Sequence, residues 1–134
     1  MAKILQIEGI GPTYAQKLNA EGITTTEELL NAGATPQGRE ELSEQTGIAE
    51  SLILEWVNLA DLMRIKGVGE EYSDLLEEAG VDTVAELARR NPENLLVKIL
   101  EVNAEKNLVR QTPYLSFVTS WIEQAKHLPR KVEY

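Results

Sequence analysis

Apolar positions recur every three or four residues along most of the chain, the period of helices that bury one face. The strongest stripe runs from Ala49 to Arg64, with Leu52, Ile53, Trp56, Leu59, Ala60 and Met63 on one side. Boundary signals punctuate the rest. Pro12 stands in the first turn of a helix that Gly22 stops. Thr25 and Glu28 have the spacing of a capping box for a short helix ending near Gly33, and Thr83 with Glu86 repeats it. Thr35-Pro36, Asn91-Pro92 and Thr112-Pro113 each set a capping residue before a helix-starting proline, which predicts helices over about 92–105 and 113–127. No segment alternates apolar and polar residues with β-branched enrichment, so no strand is expected and the fold class is all-α.

The pattern repeats itself. Residues 7–30, IEGIGPTYAQKLNAEGITTTEELL, align with residues 65–88, IKGVGEEYSDLLEEAGVDTVAELA, at a constant offset of 58. Gly9/Gly67, Gly11/Gly69, Tyr14/Tyr72, Leu18/Leu76, Gly22/Gly80 and Thr25/Thr83 are among the identical pairs. Trp56 and Trp121 follow at an offset of 65, so seven extra residues fall in the second copy between the motif and its Trp helix. Three glycines in register argue for an internal repeat. The expected architecture is one compact domain over residues 1–134, built from two pseudo-symmetric halves, 1–64 and 65–134. Only six residues precede Ile7, too few for a long helix beside the first Gly-x-Gly turn. The C-terminal helix is therefore expected to fold back there, as Ala49–Arg64 is expected to stand beside the second turn. That leaves a monomer or, if a second chain supplies the helix, a swapped homodimer.

Composition narrows the function. The 134 residues are 43% hydrophobic and 26% charged, ordinary for a folded domain. There is no cysteine, hence no disulfide, thiolate metal site or thiol nucleophile, and a cytoplasmic address fits. No apolar run approaches membrane-spanning length, so no membrane partner is expected. The net charge of −9 repels nucleic acid on average. Residues 1–64 carry four Lys/Arg against ten Asp/Glu, whereas residues 106–134 carry five against two and are mildly basic.

The run apolar-x-Gly-apolar-Gly, followed by a helix with apolar residues a turn apart, occurs as Ile7-Glu8-Gly9-Ile10-Gly11 with Leu18 and as Ile65-Lys66-Gly67-Val68-Gly69 with Leu76. It resembles the helix-hairpin-helix family and, among its members, the uncharacterised small bacterial proteins with paired hairpins. The resemblance covers about half the chain. It implies phosphate contact by backbone amides at Gly9, Gly11, Pro12 and Thr13, with Lys17 at hand, and at Gly67, Gly69, Glu70 and Glu71, with Lys66 before them. Two features oppose that chemistry in the second hairpin: Glu70 and Glu71 already satisfy the helix dipole and repel an anion.

Other constellations give no chemistry. Glu123 and His127 share a helix face, but no second histidine or cysteine completes a ligand set, so no metal site is expected. One histidine near the chain end supports no catalytic triad, and no catalytic residue is assigned. The acidic clusters Glu40-Glu41-Glu44 and Glu77-Glu78 lack calcium-loop spacing and read as solvated faces. Trp56 and Trp121 read as core. The expected function is a non-enzymatic binding module, needing no cofactor, that acts as an adaptor or scaffold through a protein partner. The alternative is weak, sequence-non-specific binding to the DNA backbone through the hairpins and the basic C-terminal stretch.

Overall fold

The computed structural model describes residues 2–134. Among these residues it contains eight α-helices and no strand: α1 Pro12–Ala20, α2 Thr26–Gly33, α3 Pro36–Thr46, α4 Glu50–Leu62, α5 Glu70–Glu78, α6 Val84–Leu87, α7 Pro92–Lys106 and α8 Leu115–Lys126. A single 3-10 turn, Ile4–Gln6, precedes them, and one isolated bridge pairs Lys3 with Thr25. The fold class is all-α.

The helix ends follow the boundary residues closely. The Thr25 hydroxyl accepts the Glu28 N–H at 3.1 Å and the Glu28 carboxylate returns to the Thr25 N–H at 3.1 Å, closing a full capping box. At α6 the Thr83 hydroxyl accepts from Glu86, whose carboxylate reaches the N–H of Asp82. Thr35 and Asn91 cap α3 and α7. Gly22 and Gly80 adopt φ of +81° and +93° just past α1 and α5, where Ile23 and Val81 N–H groups reach back to Leu18 and Leu76 carbonyls as in a Schellman ending. Thr112-Pro113 departs from expectation: α8 starts at Leu115 with Tyr114 as its N-cap, and Pro113 is buried instead.

The chain divides into two compact units, one reaching to Asp61 and including Lys131–Tyr134, the other Leu62–Arg130. The first buries Ile7, Leu18, Leu29, Leu30, Ile53 and Trp56. Here α2 ends against α4 so closely that a Cβ on Gly33 would stand 2.5 Å from a Val57 methyl. The second buries a cluster containing Ile65, Leu75, Leu76, Leu87, Ile99, Val118 and Trp121.

The long helices pack differently from the sequence expectation. Trp56, on α4, lies on the first Gly-x-Gly turn, and Trp121, on α8, lies on the second. Each Trp helix thus closes the turn of its own unit, and the Trp of α8 lies on the second turn where the sequence expectation set that helix against the first. The glycines decide this. An ideal Cβ on Gly9 would stand 3.1 Å from Trp56 Nε1, and one on Gly67 would stand 3.2 Å from Trp121 Nε1. Each turn therefore offers a side-chain-free platform that only the edge of a flat ring can use so closely. The longer α7 and the segment after it take up the extra residues of the second copy.

Candidate functional site

Each Gly-x-Gly turn is built the same way within its unit. In the first, Ile10 donates to the Ile7 carbonyl at 3.1 Å, Gly9 holds φ +96°, and Ile10 is buried. In the second, Val68 donates to Ile65 at 3.1 Å, Gly67 holds φ +97°, and Val68 is buried. A side chain strongly disfavours such φ, so both positions call for glycine. Gly11 and Gly69 are N-caps with ordinary negative φ, −90° and −109°, and neither supplies a capping side chain. Tyr14 meets Trp56 with ring centroids 5.0 Å apart, and Tyr72 meets Trp121 at 5.1 Å. The first pair meets edge to face and the second at a tilt, and each braces its turn.

What the turns present differs. In the first unit Gly9, Gly11, Pro12 and Thr13 are exposed, no acid lies in the first turn of α1, and Lys17 is exposed with Nζ 6.0 Å from the Tyr14 ring centroid. The structure thus brings Gly9, Gly11, Thr13 and Lys17 onto one short exposed turn and helix. In the second unit Lys66, Gly67 and Gly69 are exposed, and Glu70 and Glu71 fill the first turn of α5. There the free amides face their own carboxylates first. The Lys66 backbone is fixed by Gln124 of α8, a contact with no obvious sequence signal because a lone glutamine on a helix face looks like solvent decoration.

The remaining polar groups form ordinary surface pairs. His127 Nε2 is 3.8 Å from Glu123 Oε1, with both side chains mostly exposed. Asp74, Glu77 and Glu78 bring carboxylate oxygens within 4.8 Å of one another. Lys106 pairs with Glu78, and that hydrogen bond raises the Lys106 pKa above its usual value. Glu28 is shifted the other way: the Thr24 hydroxyl, then the Thr24 and Thr25 N–H groups, stabilise its carboxylate and lower its pKa.

Large apolar side chains left in solvent are unevenly shared. Among the described residues, five of the seven belong to the second unit: Val97 and Leu100 on α7, and Tyr114, Leu115 and Phe117 at the start of α8. Val97 and Leu100, three apart, lie opposite the buried Leu95–Ile99–Val102 stripe. Tyr114 and Phe117 pack edge-on, centroids 5.3 Å apart.

The sequence pattern of a family described as "Domain of unknown function (DUF4332)" matches residues 8–128. The chain belongs to this family. Comparison with curated proteins and with solved structures gave no match. The DUF4332 region takes in both Gly-x-Gly turns, both tryptophans and the exposed apolar side chains of α7 and α8. Lys131–Tyr134 lie beyond the DUF4332 match. No helix among the described residues is long and apolar enough to cross a membrane.

Proposed function

We propose that this DUF4332 protein is a non-enzymatic tandem helix-hairpin-helix module that works as an adaptor by binding another protein. The helix-hairpin-helix reading is supported by the left-handed first glycine, the buried residue between the glycines and the uncapped second glycine in each unit. The observation that carries the adaptor reading is the apolar surface of the second unit, where Tyr114 is 59% and Val97 56% exposed. Single exposed apolar residues are common, but Tyr114, Leu115 and Phe117 lie together at the start of α8, with the Tyr114 and Phe117 rings 5.3 Å apart, and such a cluster suits a protein partner. Charge favours the same reading over DNA, because the net −9 and the Glu70-Glu71 pair oppose phosphate.

Two measurements test it. Capture from native lysate with the wild-type chain should enrich a protein that survives nuclease treatment and is lost with the Leu115→Ser/Phe117→Ser double variant. Duplex DNA should bind no tighter than about 10⁻⁵ M at physiological salt in an anisotropy titration. Sub-micromolar affinity, weakened by Lys17→Glu and strengthened by Glu70→Lys, would assign the chain to the DNA backbone instead.

A further inference from the structure

Residues 131–134 are held as a ligand is held. Lys131–Tyr134 form no helix and belong to the first unit. Both backbone groups of Glu133 are used: its N–H donates to the Ala34 carbonyl at 2.7 Å, and its carbonyl accepts from Arg39 Nη2 at 2.7 Å. Val132 is 1% exposed, as deep as the core, while the Glu133 side chain points to solvent. The Tyr134 hydroxyl donates to Asn58 Oδ1 at 3.4 Å. The Tyr134 ring stays about half exposed, so Val132 is the deep seat. Main-chain hydrogen bonds combined with a seated side chain are a means by which proteins hold peptides, the backbone bonds supplying affinity and the side-chain seats selectivity.

Arg39 is the centre of this arrangement. It is buried, and Nη1 donates to the Gly33 carbonyl at 2.8 Å while Nη2 reaches the tail. A guanidinium is costly to bury and needs its donors answered, so removing the tail leaves a donor seeking a carbonyl. The same side chain borders an open groove of about 280 Å³ with Pro36, Glu50, Ser51 and Leu54. The recognition surface therefore continues past the part the tail occupies.

We propose that the first unit carries a recognition site for an extended segment of a partner protein, with a β-branched aliphatic residue, one residue of any kind and then tyrosine, and that the protein's own Val132-Glu133-Tyr134 fills this site until such a segment displaces it. The site is separate from the apolar surface of the second unit and does not depend on it. A tethered tail competes at an effective concentration in the millimolar range, so it screens the site against weak peptides and yields to a longer one that also enters the groove.

The test uses the full chain carrying Val132→Asp, which evicts the tail, and a second full-chain variant, Glu133→Pro, which removes the N–H given to Ala34. The probe is a dye-labelled Lys-Val-Glu-Tyr peptide blocked at both ends, followed by anisotropy. Folding of each variant is checked by circular dichroism. Saturable binding at least about tenfold tighter to a folded variant than to wild type, lost when the peptide valine becomes aspartate, is the expected result. In parallel, the same peptide added unlabelled to the wild-type chain, well above the tail's millimolar effective concentration, should move the Val132 methyl resonances to free-peptide positions. No binding to a folded variant, or unmoved Val132 methyls should neither variant fold, overturns the proposal. A wild-type dimer that the peptide dissociates gives the site to the tail of a second copy and overturns the partner assignment.

Discussion

The side-chain amide of Gln124 pairs with both backbone groups of Lys66: Oε1 accepts the N–H at 2.9 Å and Nε2 donates to the carbonyl at 3.1 Å. Helix α8 thereby grips the second Gly-x-Gly turn through a contact that mimics one rung of a sheet. Gln124→Leu keeps most of the volume and removes both bonds. Each is worth about 0.5–1.5 kcal/mol, toward the lower end here because Lys66 is exposed. Thermal melts should show a loss of about 1–2 kcal/mol, and the Lys66 amide should exchange faster with solvent. An unchanged exchange rate would remove the clamp from the account.

The glycines should separate into two classes on alanine substitution. Gly9→Ala and Gly67→Ala force a left-handed φ on alanine and push a Cβ to 3.1 and 3.2 Å from an indole, so each should destabilise by more than about 1 kcal/mol. Gly22→Ala meets the same φ penalty with open space around it and should lose less. Gly11→Ala has a negative φ and nothing within 4 Å, so denaturant titration should find it neutral. A Gly11→Ala loss as large as that of Gly9→Ala would show that something other than backbone and indole sets these positions.

Gly33 poses a different problem, steric rather than conformational. Gly33→Ala drives a methyl to 2.5 Å from Val57 Cγ2, an overlap that should destabilise by about 1–3 kcal/mol. Val57→Ala vacates that space at the expense of a small cavity. The double variant should then be more stable than the two separate losses predict, and a cycle of denaturation midpoints reads the coupling. Simple additivity would mean that α2 moves away from α4 instead.

Acid stability should depend on Glu28. Its pKa is depressed in the folded chain, first by the Thr24 hydroxyl, so its contribution is full above the unfolded pKa and fades as pH falls through the folded one. Melting temperature should therefore fall more steeply for wild type than for Glu28→Gln between about pH 5 and pH 3. Parallel curves would assign the acid sensitivity to other carboxylates.

Local rules carried most of the secondary structure. Thr25, Thr35 and Asn91 cap the helices their positions indicate, and Gly22 and Gly80 end helices with the φ their place requires. These signals act over three or four residues and lie in the sequence itself. Packing was less legible. The reading of Trp56 and Trp121 as core was right, yet nothing local says that each indole lies on the glycine of its own half, because that depends on where a missing Cβ leaves room. Arg39 sits in the polar run Gln37–Glu41 and looks like surface, but its length lets it reach the Gly33 carbonyl nearby and the Glu133 carbonyl far away in sequence. Pro113 resembled a helix start and became a buried packing residue, because Tyr114 and Leu115 open α8 instead.

The placement of one indole on each Gly-x-Gly turn also makes the molecule its own optical reporter. The chain has two tryptophans, one per unit, each nearly sealed from water at 1% and 3% exposure. Their emission shifts to the red as water reaches the rings, so Trp121→Phe leaves a signal from the first unit alone and Trp56→Phe one from the second. Melting the two single-tryptophan chains side by side gives two transition temperatures without any added label, and their coincidence or separation measures how far the two units share one folding transition.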